Sequence, residues 1–299
     1  MNTHLSILSE VKAGNYKTLA RALTLVENDI APADLLLKNL DSQSSKMVVG
    51  ITGPPGAGKS TLVNAITNKF TTENKRVAIL AIDPTSPFNF GSLLGDRIRM
   101  ASQFNNPNVF IRSLATRGAL GGISGKTIEM VDVLKAANFD VILIETVGVG
   151  QSEVEIAGLA DKTIVVLVPE SGDEVQHIKS GLMEIADCFV VNKADREGAE
   201  TFSNNLKKMV HQGIKTLPII KTIADKNVGV DELCKWISQP IALSNHRKEF
   251  LYAEKAWKIV QNIKMINVDK QKLREEIQAA LKKDDFNIYR FSADFVEKS

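Results

Sequence analysis

Seven short, near-continuous apolar runs punctuate the middle of the chain, at 48–52, 77–82, 109–112, 141–145, 164–168, 189–192 and 218–222. A run without apolar–polar alternation is the mark of a strand covered on both faces. Longer mixed stretches separate the runs. The pattern therefore predicts strand, loop and helix in repetition: an α/β fold with a doubly wound, mostly parallel sheet. Ligands of such sheets bind beyond the carboxyl ends of the strands, so the residues just after each run are the first candidates for chemistry.

The flanks read differently. Residues 1–45 are expected to be helical, because Leu19, Leu23 and Val26 with Ala22 mark one apolar face at helical spacing. The polar run Asp41-Ser42-Gln43-Ser44-Ser45 reads as a linker. Beyond about residue 245 the strand pattern stops. Phe250-Leu251, Ala256-Trp257 and Val260 form one stripe, and Leu273, Ile277 and Leu281 another. A helical hairpin on the core and a dimerisation arm both fit, since an apolar stripe does not name its partner. The expected division is an N-terminal helical segment (1–45), an α/β domain (46–242) and a C-terminal helical arm (243–299).

Composition narrows the setting. Of 299 residues, 44% are hydrophobic and 24% charged, as in soluble globular proteins. A net charge of +2 carries no footprint for nucleic acid. No apolar run approaches the roughly 18 residues that span a bilayer, and Met1-Asn2-Thr3-His4 does not open a signal peptide. Two cysteines, Cys188 and Cys234, cannot build a disulfide framework or a CxxC metal site, and packing roles in a reducing cytoplasm are expected.

Chemistry concentrates after the runs. Gly53-Pro54-Pro55-Gly56-Ala57-Gly58-Lys59-Ser60-Thr61 follows the first run and opens a helical pattern. This is a complete G-x-x-x-x-G-K-S phosphate loop. Its glycines let backbone N–H groups turn toward a polyphosphate at a helix N-terminus. Lys59 is placed to reach the β- and γ-phosphates, and Ser60 to offer a hydroxyl to Mg²⁺. Glu145-Thr146-Val147-Gly148 ends the very apolar fourth run. An acid there can hold Mg²⁺ through water, and Gly148 can bring a backbone N–H to the γ-phosphate. Asp83 follows the second run, and Asp96 lies in Gly95-Asp96-Arg97. With Ser60 and Glu145 these would complete a hard oxygen shell for Mg²⁺. Asp83 alone, before Pro84, reads equally well as a turn residue.

Asn192-Lys193-Ala194-Asp195 ends the sixth run and matches the N-K-x-D pattern of guanine readers. A carboxylate at Asp195 can accept from both N1–H and the exocyclic amine of guanine, whereas adenine offers a bare acceptor at N1. Thr222-Ile223-Ala224, after the seventh run, fits the loop whose backbone touches the base.

These blocks resemble the MeaB/ArgK family of P-loop GTPases. So do Gly95-Asp96-Arg97, Thr116-Arg117-Gly118-Ala119-Leu120-Gly121-Gly122 and Gly172-Asp173-Glu174-Val175-Gln176-His177-Ile178-Lys179. The block Glu145-Thr146-Val147-Gly148-Val149-Gly150-Gln151-Ser152-Glu153 is the most specific, and it accounts for Glu145 where G proteins usually carry Asp. The resemblance runs from about residue 15 to the C-terminus. It implies a G domain using GTP/GDP and Mg²⁺, with Asp83, Asp96 and Glu145 on the Mg²⁺ side. It implies a homodimer, and a chaperone role gating cobalamin loading and protecting an adenosylcobalamin-dependent acyl-CoA mutase. It also implies a third switch loop in which Asp173, Gln176 and Lys179 couple nucleotide state to the mutase. The family often carries Gly-Gly-Ser before Gly-Asp where this chain has Asn89-Phe90-Gly91-Ser92, and Thr is common where it has Ile98. No glutamine follows Gly148 directly, so slow intrinsic hydrolysis is expected. A metallochaperone GTPase is a weaker reading, because the 4 His are scattered. A transport-associated kinase would use the same loop and metal, but guanine specificity and the absence of an evident acceptor pocket in this sequence argue against it.

Overall fold

The computed structural model describes residues 3–41, 46–83, 100–115, 125–146, 156–171, 180–211, 217–240 and shorter runs within 252–298. The chain divides into two compact units, Met1–Ser244 and Asn245–Ser299.

All seven predicted strands form. They are β1 (Met47–Thr52), β2 (Val77–Asp83), β3 (Val109–Ala115), β4 (Val141–Thr146), β5 (Lys162–Leu167), β6 (Cys188–Val191) and β7 (Ile219–Lys221). Every pairing is parallel, in the order β3-β2-β4-β1-β5-β6-β7. The first three crossovers build the sheet to one side of β1, and the step from β4 to β5 passes over β1 to the other side. That reversal leaves a crevice at the carboxyl end of β1, where open α/β sheets take ligands.

The near-continuous apolar runs are explained by two cores. Val48, Ala78, Leu80, Ile142 and Ile144 enter one, and their neighbours Val49, Val77, Ile79, Leu143 and Val141 enter the other. Period-two side chains thus feed opposite faces, both covered. The first core is roofed by helices α1 (Thr3–Lys12), α2 (Tyr16–Glu27), α3 (Ala33–Lys38) and α5 (Gly125–Ala136). Opposite lie α4 (Lys59–Thr72), between β1 and β2, and α8 (Val230–Ser238). A third cluster beneath α7 (Ala199–His211) takes Val165, Leu167, Phe189 and Val191. The short α6 (Ser180–Ile185) precedes β6.

In α2 the expected face is the buried one: Leu19, Ala22, Leu23 and Val26. Asn15 starts this helix, its side chain accepting from the N–H groups of Lys17 and Thr18 at 3.1 Å each. Both cysteines pack inside. Burial raises the Cys188 thiol far above its usual range and pushes the Cys234 thiol up to about 12.

Strand ends differ from the predicted runs by a residue or two at most positions, and two differences involve a buried or half-buried cation. β3 runs three residues beyond Arg112, to Ala115, and Arg112 itself reaches Glu27 of α2 at 2.5 Å. β5 starts two residues early because the Lys162 ammonium is not solvated. It donates to the carbonyls of Trp236, Ile237 and Gln239 at 2.6, 3.0 and 2.6 Å, closing the C-terminus of α8.

In the second unit, α9 (Lys270–Ala280) opens on an Asp269 cap, and α10 (Ile288–Lys298) carries Phe291 and Phe295 with ring centroids 6.1 Å apart. Among the described residues no helix is long and apolar enough to cross a membrane.

Candidate active site

The phosphate loop joins the last residue of β1 to the first of α4. Its backbone takes conformations that side chains resist: φ is 135° at Gly53 and 85° at Gly58. A Cβ on Gly53 would lie 2.1 Å from the Val166 carbonyl oxygen, and one on Gly58 2.4 Å from the Asn192 amide. The loop is therefore pressed against β5 and the turn after β6. At its crest a Cβ on Gly56 would meet nothing within 4 Å. An open crest in front of a helix N-terminus fits a polyphosphate. Gly58 caps α4 without a side chain, so the first N–H donors of the helix, those of Lys59, Ser60 and Thr61, belong to the loop. Pro54 and Pro55 complete the loop, with Ala57 buried beneath it.

Lys59 is buried, and its ammonium donates to the carbonyls of Gly53 and Pro54 at 2.8 and 2.9 Å. Ser60 is buried one residue on, and its hydroxyl donates to Glu145 Oε1 at 2.6 Å. The register explains the meeting: Ile51 pairs with Glu145, so the end of β4 stands beside the start of the loop. Thr146 Oγ1 donates to Thr52 Oγ1 at 3.0 Å, a buried strap between the same strands. A hydroxyl and a carboxylate together are a hard oxygen pair, which fits Mg²⁺ completed by water and phosphate. Asp83 ends β2 one step beyond the level of Thr146; its side chain lies outside the described residues, as do Asp96 and Gly148. Among the described residues, no group of three or more His, Cys, Asp or Glu is gathered to hold a metal ion.

The guanine-reading pattern meets the loop from the next crevice wall. Asn192 is buried and does not itself face outward. Its amide donates to the Ala57 carbonyl at 2.9 Å, while its Oδ1 accepts from Thr222 Oγ1 at 3.0 Å and from the Ala224 N–H at 3.2 Å. One side chain thereby fastens the phosphate loop to the Thr222-Ile223-Ala224 loop. Lys193, at φ 53°, crosses over the loop and donates to the Gly56 carbonyl at 2.8 Å. Asp195 is exposed and pairs with Lys226 at 2.9 Å, and that hydrogen bond holds its carboxyl below the ordinary range.

Sequence reasoning did not anticipate Lys226, the Thr52–Thr146 strap or the ion pair of Arg196 with Glu170. Only Lys226 carried a signal, standing two residues beyond Ala224 in the same turn. Asp173, Gln176 and Lys179 lie outside the described residues.

Comparison with known proteins agrees with this geometry. Residues 19–280 match the family described as methylmalonyl-CoA mutase-associated GTPase MeaB. A Pyrococcus horikoshii protein named as a GTPase is 47% identical over 241 residues, spanning 78% of this chain and 76% of its own. The Escherichia coli GTPase ArgK is 40% identical over 193 residues, 63% and 58% of the two chains. The mitochondrial methylmalonic aciduria type A homolog of Mus musculus is 40% identical over 197 residues, 61% and 48%. In fold, a LAO/AO transport system kinase structure aligns over 99% of this chain and 97% of its own, with a TM-score of 0.66 at 24% identity. The chain belongs to the MeaB family, the methylmalonyl-CoA mutase-associated GTPases.

Proposed function

We propose that this GTPase is a nucleotide-driven chaperone of an adenosylcobalamin-dependent acyl-CoA mutase, gating cofactor loading and protecting the mutase from inactivation. The observation that carries the reading is the family match over residues 19–280, which includes the phosphate loop, the Glu145 strand end and the guanine-reading turn.

In this reading GTP lies along the carboxyl edge of the sheet. The loop N–H groups from Gly53 to Thr61 hold the α- and β-phosphates. Lys59 exchanges the carbonyls of Gly53 and Pro54 for the β- and γ-phosphate oxygens. Ser60 and Glu145, with Asp83 and Asp96, would hold Mg²⁺, which when bound neutralises charge developing on the phosphates. Water attacks the γ-phosphorus, a new P–O bond forms, the bond to the bridging β,γ-oxygen breaks, and GDP and phosphate leave. Lys59, the loop donors and the Gly148 N–H lower the barrier by meeting charge that grows in the transition state. Asp195 reads guanine, Asn192 and Lys193 hold its turn, and Thr222, Ile223 and Ala224 supply the opposite wall. Asp173, Gln176 and Lys179 transmit nucleotide state to the mutase.

The chain is proposed to act in the cytoplasm as a homodimer, away from nucleic acid and membrane. Exposed Trp257, Val260, Ile263 and Met265 in the second unit support an interface there.

Size-exclusion chromatography of the full chain with an acyl-CoA mutase tests the proposal. Co-elution that differs between GDP, a non-hydrolysable GTP analogue and no nucleotide is expected. Absence of association in every nucleotide state overturns the chaperone role. Following the labelled γ-phosphate separates hydrolysis from a kinase reaction: release as free phosphate is expected, and transfer to protein or metabolite overturns it.

A further inference from the structure

Asp195 stands on an exposed turn, and a carboxylate there rotates freely unless something holds it. The structure supplies a holder from the facing loop. Lys226 closes a tight turn at Ala224–Lys226, and that turn is rigid for reasons of its own. Its first N–H is bonded to buried Asn192, the Lys226 N–H donates to the Ile223 carbonyl at 3.0 Å, and Ile223 and Val228 bond each other through both backbone groups. Asn227 closes it at φ 57°. A further bond, from the Ala194 N–H to the Thr222 carbonyl at 3.0 Å, stitches this loop to the turn bearing Asp195. The backbones at both ends of the Lys226–Asp195 pair are therefore fixed relative to each other.

We propose that Lys226 is a positioning residue for guanine recognition, its ammonium fixing the Asp195 carboxylate where N1–H and the exocyclic amine of the base must meet it. The proposal rests on Asp195 being the guanine reader. Acceptor arithmetic makes Lys226 a supporter rather than a competitor. A carboxylate has about four lone-pair sites; guanine uses two, and Lys226 occupies one on Oδ2. The gain is preorganisation, because the rotor is held before the base arrives. An exposed ion pair is worth little to the fold, so the effect belongs in nucleotide affinity.

Equilibrium binding of fluorescent GDP and XDP to the full chain tests this in a double-mutant cycle. Lys226→Met is expected to weaken GDP binding about two- to fivefold, and Lys226→Arg to restore most of it. Asp195→Asn is expected to weaken GDP binding about a hundredfold and favour XDP, because an amide donor matches the carbonyl that xanthine carries at C2. In the Asp195→Asn background, Lys226→Met should change GDP binding by less than about 1.5-fold. An equal loss in both backgrounds means that Lys226 touches the nucleotide itself and overturns the proposal. No loss, or tighter binding, in the parent background overturns it too. Failure of the underlying base assignment reads out separately: Asp195→Asn would then leave the GDP–XDP preference unmoved.

Discussion

Asn192 shows how a motif residue can be legible while its work is not. Its place after the sixth apolar run predicts a guanine-reading turn, but the pattern gives no hint that its amide is a buried brace with three partners. Those partners come from loops distant in sequence, and only the fold brings them together. Removing the brace strands the Ala57 carbonyl and the Ala224 N–H away from water, where each unpaired group costs about 1–3 kcal/mol. Asn192→Ala should therefore lose about 2–3 kcal/mol in urea unfolding and weaken GDP binding together. Gly53 is the converse case, fully legible from the motif. Its φ of 135° and the Val166 oxygen 2.1 Å from any Cβ give Gly53→Ala two independent penalties. The expected cost is at least about 3 kcal/mol, read as a lowered unfolding midpoint.

At the scale of elements, strand positions followed from hydrophobicity, and strand ends did not where a charge is buried. Lys162 reads as the polar edge of a loop, yet it is 4% exposed and sits over the Trp236 ring at 4.6 Å. Burial pulls its ammonium pKa down, partly offset by Asp187. Its three carbonyl partners join β5 to the end of α8, so this one side chain sets where two elements stop. Lys162→Met keeps the stem and loses the donors. It should destabilise by about 2–4 kcal/mol with the urea m-value unchanged. Because Lys162 lies at the amino end of β5, opposite the ligand edge, GDP affinity should stay within about twofold of the parent. A second clip lies along α4: the buried Gln103 amide donates to half-buried Asn64 and exposed Asn68 at 2.7 and 2.6 Å. These asparagines are one and two turns beyond Ser60 on the same helix face. Gln103→Leu removes both bonds, but Asn64 keeps the Ser102 hydroxyl at 3.4 Å and exposed Asn68 is met by water, so a loss of only about 0.5–1.5 kcal/mol is expected in the same assay.

For the molecule as a whole, the doubly wound class was legible because parallel strands covered on both faces must be apolar throughout. The strand order was not, since each strand would accept several parallel neighbours, and packing of α2, α4 and α5 on the two faces selects among them. That order decides the chemistry: it sets β4 beside β1 and so delivers Glu145 to Ser60. In the proposed mechanism the gathered residues supply charge stabilisation for phosphoryl transfer. Gly148 is followed by Val149, and the next glutamine is Gln151. A P-loop GTPase without a well-placed water-orienting group hydrolyses slowly, at about 10⁻⁴ to 10⁻² s⁻¹, and a partner that completes the site accelerates it by orders of magnitude. The purified chain should therefore release phosphate from GTP in that slow range. Added acyl-CoA mutase should raise the rate at least about tenfold, and chelating Mg²⁺ should abolish it. Phosphate release under single-turnover conditions separates this from faster product exchange. A high rate from the chain alone, unmoved by mutase, would mean that the machinery is complete without a partner, and the coupling of hydrolysis to the mutase would fall.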